Sequence, residues 1–435
     1  MMNEPKKNSI TLIGAIGLGT GVMISAGIFA LLGQIAELSN QWIFLIFLVG
    51  AVVTGFSAYS YIKFSHNYPS AGGIGMYLVK AYGKGVLSSA GALMMILSMV
   101  INQSLVAKTF GSYTMQIFNG TTEAWIISVL GVGLLIFALI INLLSNTFIQ
   151  TFTSIMSVIK ILGLIIFAAG GLFAAKFVIS LPETSGGAQS LTFAHYIAAT
   201  ALAVIAFKGF TTITNNGDEI TKPKVNVGRA IMFSIIISLV VYIVVTFGVT
   251  ANLSVSQIIQ SKDYALAEAA RPVFSGLGLW FTVILAILAT ITGIIASVFA
   301  VSRLIAMLAN MHMIPHKKIS ENIKTQQQTI FYTVGLAIIL TILFDLTRIA
   351  SLGVFLYLVM DMMIHYGLAH KMKNEIKVNR WIVWSAFILD FVILSGFVYI
   401  KITTDLLVVI VGAAIILALF IIQTIFFKYR ESKTT

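Results

Sequence analysis

The chain has 435 residues, 58% of them apolar and 10% charged, with only 15 carboxylates. Ordinary globular chains are about 45–50% apolar and about 25% charged, so a water-soluble fold and a disordered chain are both excluded. A net charge of +12 in so apolar a chain is a topology signal before it is a nucleic-acid signal. The absence of cysteine removes disulfides, thiolate metal sites and cysteine nucleophiles.

A spanning helix needs about 20 apolar residues. Twelve stretches qualify, at 10–36, 41–62, 88–118, 124–144, 151–175, 192–214, 230–250, 277–307, 329–344, 349–369, 381–400 and 406–427, the ninth being the shortest. The first run outlasts a signal peptide and lacks a small-residue cleavage site, so it is expected to be retained. Twelve spans place both termini on one side. Most basic residues fall in loops on that side, from Lys6 and Lys7 through Lys63, Lys222, Arg303, Lys317 and Lys373 to Lys428. The opposite loops hold Lys176, Lys262, Arg271, Arg348 and Lys401. Positive-inside therefore predicts cytoplasmic termini in a cytoplasmic-membrane protein. The aromatics Trp42, Trp125, Trp280 and Trp381 fall near span ends, as an interfacial belt would.

Span one reads GAIGLGTGVMISAGIF. Its glycines mimic a nucleotide-binding loop, but no strand precedes them and no soluble helix follows. Gly17, Gly21 and Ser25 sit four apart, a small-residue face for close helix packing. The functional reading is a break near Ser25, Ala26 and Gly27, whose freed N–H groups suit a carboxylate. Span two is followed by Pro69-Ser-Ala-Gly-Gly73. Span six has a second interruption at Phe207-Lys-Gly-Phe210. Two glycine-interrupted spans, five apart, predict an inverted five-plus-five repeat, because an odd repeat must insert upside down. The expected units are 10–175 and 192–369, followed by two further spans within 381–427. All form one membrane domain over 1–435. In the loop at 251–276, ALAEAARP is expected to form a short amphipathic helix along the surface.

Three lysines fall inside spans: Lys108, Lys160 and Lys208. An ammonium in a bilayer core is costly and usually functional. Gln150, Thr153, Ser154, Ser157 and Lys160 form one polar stripe on span five. Lys160 lies roughly 15 Å from Gln150, near the middle of a ~30 Å hydrocarbon core. Its stem cannot snorkel so far. It must find protein partners or give up its proton, so it is either a proton carrier or a permanently charged structural lysine, the former being favoured. Lys208 either meets an anionic substrate side chain and repels cationic ones, or pairs with Asp361 in span ten; the pair is favoured. Lys108 is expected to bend toward the outer vestibule, with Asn102, Gln103 and Ser104 as site-lining groups. Asp361 and His365 share a helical face, but too few ligands converge for a metal. His365 is expected at the interface, and Asp390 in packing or a subunit contact.

These segments resemble the amino acid–polyamine–organocation (APC) superfamily. The likeness rests on GVMISAGIF, on YPSAGGIGMYLVKAYG after span two, and on FKGFTTITNNGDEITKPKVNVGRAI, with Glu219, Pro223, Asn226, Arg229 and Ala230 in register. SRLIAMLANMHMIP from Ser302 resembles the eighth-helix exit but lacks the usual acidic-glycine pair. The match covers spans one to ten and is nearest to the prokaryotic proton-coupled amino acid transporters. The resemblance implies an all-α transporter with broken helices 1 and 6. It places the substrate at Ile24, Ser25, Ala26, Gly27, Asn102, Phe207, Lys208, Gly209 and Phe210. It also implies that Lys160 stands where sodium sits in relatives, against the Gly21 carbonyl and a hydroxyl of Thr290 or Thr292. Ala289 stands where a serine is expected. The function expected is amino acid symport with a proton as coupling ion and no other cofactor, for acidic or small neutral substrates. Partners are the bilayer and the amino acid, in a monomer or homodimer without nucleic acid. Sodium symport, exchange and export remain alternatives. A channel lacks a continuous polar pore, and an enzyme lacks a nucleophile–base pair.

Overall fold

The computed structural model describes residues 9–70, 72–118, 123–143, 146–176, 191–273, 277–315 and 325–432. It is all-helical. Helix α1 (Leu12–Phe29) is followed by the short α2 (Leu32–Ser39), the long α3 (Ile43–Asn67) and α4 (Gly73–Tyr82). Next come α5 (Val86–Met115), α6 (Ala124–Asn142) and α7 (Asn146–Ala174). The interrupted segment consists of α8 (Phe193–Phe207), a 3-10 turn at Lys208–Phe210 and α9 (Thr211–Thr214). Then follow α10 (Pro223–Thr250), the short α11 (Val255–Gln260) and α12 (Ala265–Ala270), and α13 (Leu277–Asn310). The chain ends with α14 (Thr325–Leu343), α15 (Leu346–Tyr366), α16 (Arg380–Thr404) and α17 (Leu406–Glu431).

Among the described residues, eleven helical segments are long and apolar enough to cross a membrane, and the shorter apolar helix Gln327–Leu343 falls where the short ninth span was expected. Their ends follow local chemistry. Pro223 opens α10, where its missing N–H costs nothing. The Asp345 carboxylate accepts from the Arg348 N–H to cap α15, and the Asn379 amide oxygen accepts from the Trp381 N–H to cap α16. Gly73 begins α4 at φ 35°, where a Cβ would fall 2.5 Å from the Thr214 carbonyl oxygen. Ala71 of the same loop lies outside the described residues.

Helix α1 packs against α7, α10 and α13, and crosses the interrupted segment. Around it, α3 lies on α10 and α8, while α5 lies on α6, α13 and α15. Helices α16 and α17 cover the outside of α15, with α16 also against α8 and α3. Large apolar side chains on α6, α16 and α17 face outward, among them Ile140, Phe391 and Ile421, as a bilayer solvent requires. Trp125, Trp280 and Trp381 are exposed and Trp42 is half-buried.

Two expectations are corrected. The first span ends at Phe29 rather than 36, because the chain turns at 30–31 and restarts as α2. The ALAEAA helix of the expected 251–276 loop does not lie along the surface. Ala265, Leu266, Ala267, Ala269 and Ala270 of α12 are all buried, since the ALAEAA stretch presents methyl groups on nearly every face. The loop is tied to α2 instead. Gln34 Nε2 donates to Asp263 Oδ1 at 2.9 Å, and the Lys262 ammonium meets Glu37 at 2.9 Å. Burial in this loop pushes the Asp263 carboxyl above the usual carboxylate range.

The contact of α2 with this loop depends on Gly33, where a Cβ would lie 2.3 Å from the Lys262 carbonyl oxygen and 2.4 Å from its Cα. Backbone cannot swing aside as a side chain can. Gly33→Ala is therefore expected to destabilise the protein by about 1–3 kcal/mol. Thermal unfolding in detergent reads this directly, and an unchanged transition would contradict the packing.

Candidate functional site

The break after α8 is built from close backbone approach. At Gly209 a Cβ would sit 2.6 Å from the Met23 nitrogen and 3.0 Å from the Gly19 carbonyl oxygen, so only glycine lets the turn cross α1 here. Tyr242 from α10 secures the crossing. Its hydroxyl lies 2.6 Å from the Met23 carbonyl and 3.1 Å from the Ala206 carbonyl, both acceptors. Phe207 stacks beside Tyr242, and Phe210 meets Tyr61 edge-on. Both phenylalanines are fully buried.

Beside the break is a small cavity. Its walls come from α1 at Val22, from α5 between Met95 and Leu105, and from Lys208, Gly209, Thr211 and Thr212. Ser297 of α13 and the Ile349–Tyr357 face of α15 complete it. Of the expected substrate residues, Asn102, Lys208 and Gly209 line this cavity. Ile24, Ser25, Gly27, Phe207 and Phe210 are not in its walls. The side chain of Ala26 lies outside the described residues. Thr212 was not foreseen. It lines the cavity, and its buried hydroxyl has no hydrogen-bond partner, which leaves it available to a bound molecule.

The expected break at Ser25, Ala26 and Gly27 is not present: α1 runs unbroken to Phe29. Ser25 turns its hydroxyl back to the Val22 carbonyl at 2.8 Å, and Gly27 lies against the Tyr242 hydroxyl. Glycine and serine here serve tight helix packing, so the amides expected to receive a carboxylate stay within the helix.

Lys160 is buried on α7, and its ammonium donates to the Gly21 carbonyl at 2.9 Å, the contact expected of it. The adjacent Ser157 hydroxyl lies 2.9 Å from the Gly17 carbonyl. The two threonines do not complete the site. Thr290 donates to the Ala286 carbonyl and Thr292 to the Leu288 carbonyl, both within α13. The side chains of Gln150 and Ser154, on the expected stripe, lie outside the described residues. Among the described residues no carboxylate pairs with Lys160.

Lys208 is held very differently. Its ammonium lies 2.5 Å from Asp361 Oδ2 and 2.7 Å from the Ser57 hydroxyl, over the Tyr357 ring at 4.5 Å. Ser57 donates to the same carboxylate oxygen at 2.7 Å, and Tyr61 donates to the other at 2.5 Å. The favoured ion pair is thus formed, and the lysine sits in the cavity wall with its charge answered. Ser57 and Tyr61 are four apart on α3, a spacing that could have marked them as one polar face.

Of two neighbouring expectations, the interfacial one fails and the other takes its packing form. His365 is fully buried rather than interfacial, with Nδ1 2.8 Å from the Ser60 hydroxyl. Asp390 points inward from α16, its carboxylate 3.2 Å from His365 Nε2. Elsewhere, Lys108 does not reach a vestibule. It is buried and donates to Ser128 of α6 at 2.7 Å. Arg303, counted among the loop cations, is buried in an ion pair with Glu219. Next to Glu219 the segment before α1 pairs by backbone, Ile10 N–H donating to the Glu219 carbonyl and Thr221 N–H to the Ile10 carbonyl, each at 2.8 Å.

An interrupted helix crossing, a central cavity and buried ionic groups within a multi-pass bundle define a membrane transporter. The family described as "Amino acid permease" matches residues 10–434, and the chain belongs to it. It is an APC-type amino acid transporter and not an enzyme. Among similar proteins is the "Inner membrane transport protein YbaT" of Escherichia coli (strain K12), 27% identical over 408 residues and 92% of each chain. The "Serine/threonine exchanger SteT" of Bacillus subtilis (strain 168) is 22% identical, over 83% of this chain and 82% of that one. The fold is similar to that of the Eremococcus coleocola manganese transporter, with a TM-score of 0.59 at 12% identity over 98% and 99% of the two chains. That transporter has the LeuT fold.

The Lys208–Asp361 geometry is testable. Asp361→Asn leaves a buried ammonium without its counter-ion, which is expected to cost about 3–5 kcal/mol. The double variant Lys208→Met/Asp361→Asn removes both charges and should recover most of that loss. Thermal unfolding of both variants in detergent reads the difference. Equal losses in single and double variants would show that the pair is not what holds the site.

Proposed function

We propose that the protein is a proton-coupled amino acid symporter of the ApcT kind, with Lys160 as the protonation site in place of sodium. One observation carries this reading: a fully buried ammonium whose described partner is a single carbonyl, Gly21 on α1. Such a group is stabilised by one hydrogen bond against a large desolvation cost, so binding and loss of its proton are both accessible. Deprotonation would weaken the hold of α7 on α1, leaving the Ser157–Gly17 bond. That couples a proton to the helix whose Val22 lines the cavity.

The packing supports a five-plus-five inverted repeat within a twelve-span bundle. Pairs recur five spans apart: α1 with α10 as α8 with α3, α5 with α6 as α13 with α14, and α5 with α15 as α13 with α7. Alternating access would rock these units about the central cavity. The orientation of the basic loops favours cytoplasmic termini in the cytoplasmic membrane, and a relative bears the name of an inner membrane protein. In that frame the Arg303–Glu219 pair and the Ile10–Thr221 bridge lie at the cytoplasmic end, and α2 with its loop lies outside.

For substrate, small neutral amino acids are favoured over acidic ones, because Asp361 already neutralises Lys208. The free hydroxyl of Thr212, with Asn102, offers hydrogen bonds rather than charge. Exchange is the second reading, favoured by the likeness to a serine/threonine exchanger. The protein is taken as a monomer or homodimer.

In proteoliposomes an inward proton gradient is expected to drive concentrative uptake, and Lys160→Ala to abolish that dependence in a protein that still elutes as a folded species. Gradient-driven uptake that persists in Lys160→Ala would sink the proposal, and sodium dependence would replace it. In a competition panel of the common L-amino acids, glutamate and aspartate are expected not to compete. Strong competition by either would return Lys208 to the substrate site.

A further inference from the structure

The transport reading leaves a group of ionic side chains unexplained where α3, α15 and α16 meet. Asp361, His365 and Asp390 all have 0% exposure. Asp361 is answered by Lys208, Ser57 and Tyr61. Asp390 has no such set. Its carboxylate oxygens make no hydrogen bond, and the nearest charge is His365 Nε2 at 3.2 Å. The same nitrogen is 3.7 Å from Asp361 Oδ2.

Charge balance then limits the protonation states. Lys208 as ammonium and Asp361 as carboxylate cancel. The His365–Asp390 pair is neutral only when it holds one proton between its two members. With none, a bare carboxylate is left buried near a second carboxylate. With two, the imidazolium and the carboxylic acid leave the group at +1 inside the bundle. Either departure is costly in a low-dielectric interior. The charged and titratable groups that face the pair are Lys208 from the break, Tyr61 from α3, and Tyr357 and Asp361 from α15. Tyr82 of α4 bonds the Met363 carbonyl on the same helix.

A metal ion fits poorly. Three side chains offer ligand atoms within 4.8 Å of one another. However, Asp361 Oδ2 is already bound by an ammonium and a hydroxyl, so a cation would face a fixed positive charge. A proton is the one cation that this geometry accepts without displacing Lys208. His365 lies in the last turn of α15, and the span runs on to Lys371.

We propose that His365 and Asp390 form a second proton-binding site, distinct from Lys160, whose occupancy is linked through Asp361 to Lys208 in the cavity wall. Proton uptake by the proton-free pair makes it neutral, with the proton on Asp390 as the acid or on His365 as an imidazolium 3.7 Å from Asp361 Oδ2, and so adds one unit of positive charge beside Asp361. That charge competes with Lys208 for Asp361 and so loosens the lysine at the α8 break. Helix α16 lies outside the two expected repeat units, so this would give the C-terminal spans a part in coupling. The site stands whether or not Lys160 carries the transported proton.

Infrared difference spectroscopy of the purified full-length protein, titrated from about pH 5 to about pH 9, tests this. Expected is a titrating buried carboxyl band that is lost in Asp390→Asn and retained in Lys160→Ala. In His365→Asn, which keeps the carboxyl, its midpoint should move by about one pH unit or more, a tenfold change in proton affinity. A similar movement is expected in Lys208→Met/Asp361→Asn. Absence of any carboxyl or imidazole titration in this range would overturn the site, as would a band that survives Asp390→Asn. An unmoved midpoint in the double variant would overturn the link to Lys208. Should Asp390→Asn fail to fold, His365→Asn decides. Retention of the band in Lys160→Ala separates this outcome from the uptake experiment above, where Lys160 alone is tested.

Discussion

A charge in the middle of a bilayer has to be answered by protein, and much of this structure follows from how that is done at Lys208. The lysine stands in the 3-10 turn where α8 gives way to α9. Its counter-ion comes from α15, and two hydroxyls from α3 bind the same carboxylate. Three helices distant in sequence are thereby fixed around one interrupted turn. Burial of both partners makes the pair weak evidence for net stability, but its bonds tie α3 and α15 to the turn in one arrangement. The cavity is bounded on this side by the same lysine.

The backbone of the break obeys a second constraint. An interrupted helix frees carbonyl groups, and within a membrane these must be bonded by the protein or line a cavity. Tyr242 does this by placing one hydroxyl between the Met23 and Ala206 carbonyls. The crossing is possible because Gly209 has no side chain to strike α1. Both features serve the contact between α1 and the interrupted segment, where the transport reading places the moving parts. In this conformation α1 itself stays helical throughout. The interruption is carried by α8 alone, so the two glycine-rich segments are not equivalent in this state of the protein.

What the sequence reveals and what it hides divide along one physical line. Spans are legible because burial in lipid demands about twenty apolar residues in a row, and even the shortness of α14 shows in its apolar run. The break at Lys208 is legible because a lysine beside glycine fits no ordinary span. Lys160 is legible from depth alone. Pairing is not. Nothing in the run of residues says that Arg303, at the end of a long span, turns inward to Glu219 rather than outward to water. Nor does periodicity tell that Asp390, on a helix added after the repeats, meets His365 across a helix interface. The glycines of α1 mislead for the same reason. Small residues permit both unwinding and close packing, and only the neighbour decides. Here Tyr242 lies against Gly27, and Gly293 leaves room for the Ser25 side chain.

Two buried lysines make the closing contrast. Lys208 has a carboxylate, a hydroxyl and an aromatic face around its ammonium. Lys160 has a carbonyl from α1 and no paired carboxylate among the described residues. A site built to hold a charge surrounds it as Lys208 is surrounded. On the proposed reading, a site that changes its charge leaves the ion less fully answered, as Lys160 is. The partner of Lys160 is a backbone atom of α1. A carboxylate would lock α7 to α1 in every state. Under the proposed coupling, the charged ammonium adds to the Ser157–Gly17 bond in holding α7 to α1, and its neutralisation weakens that contact.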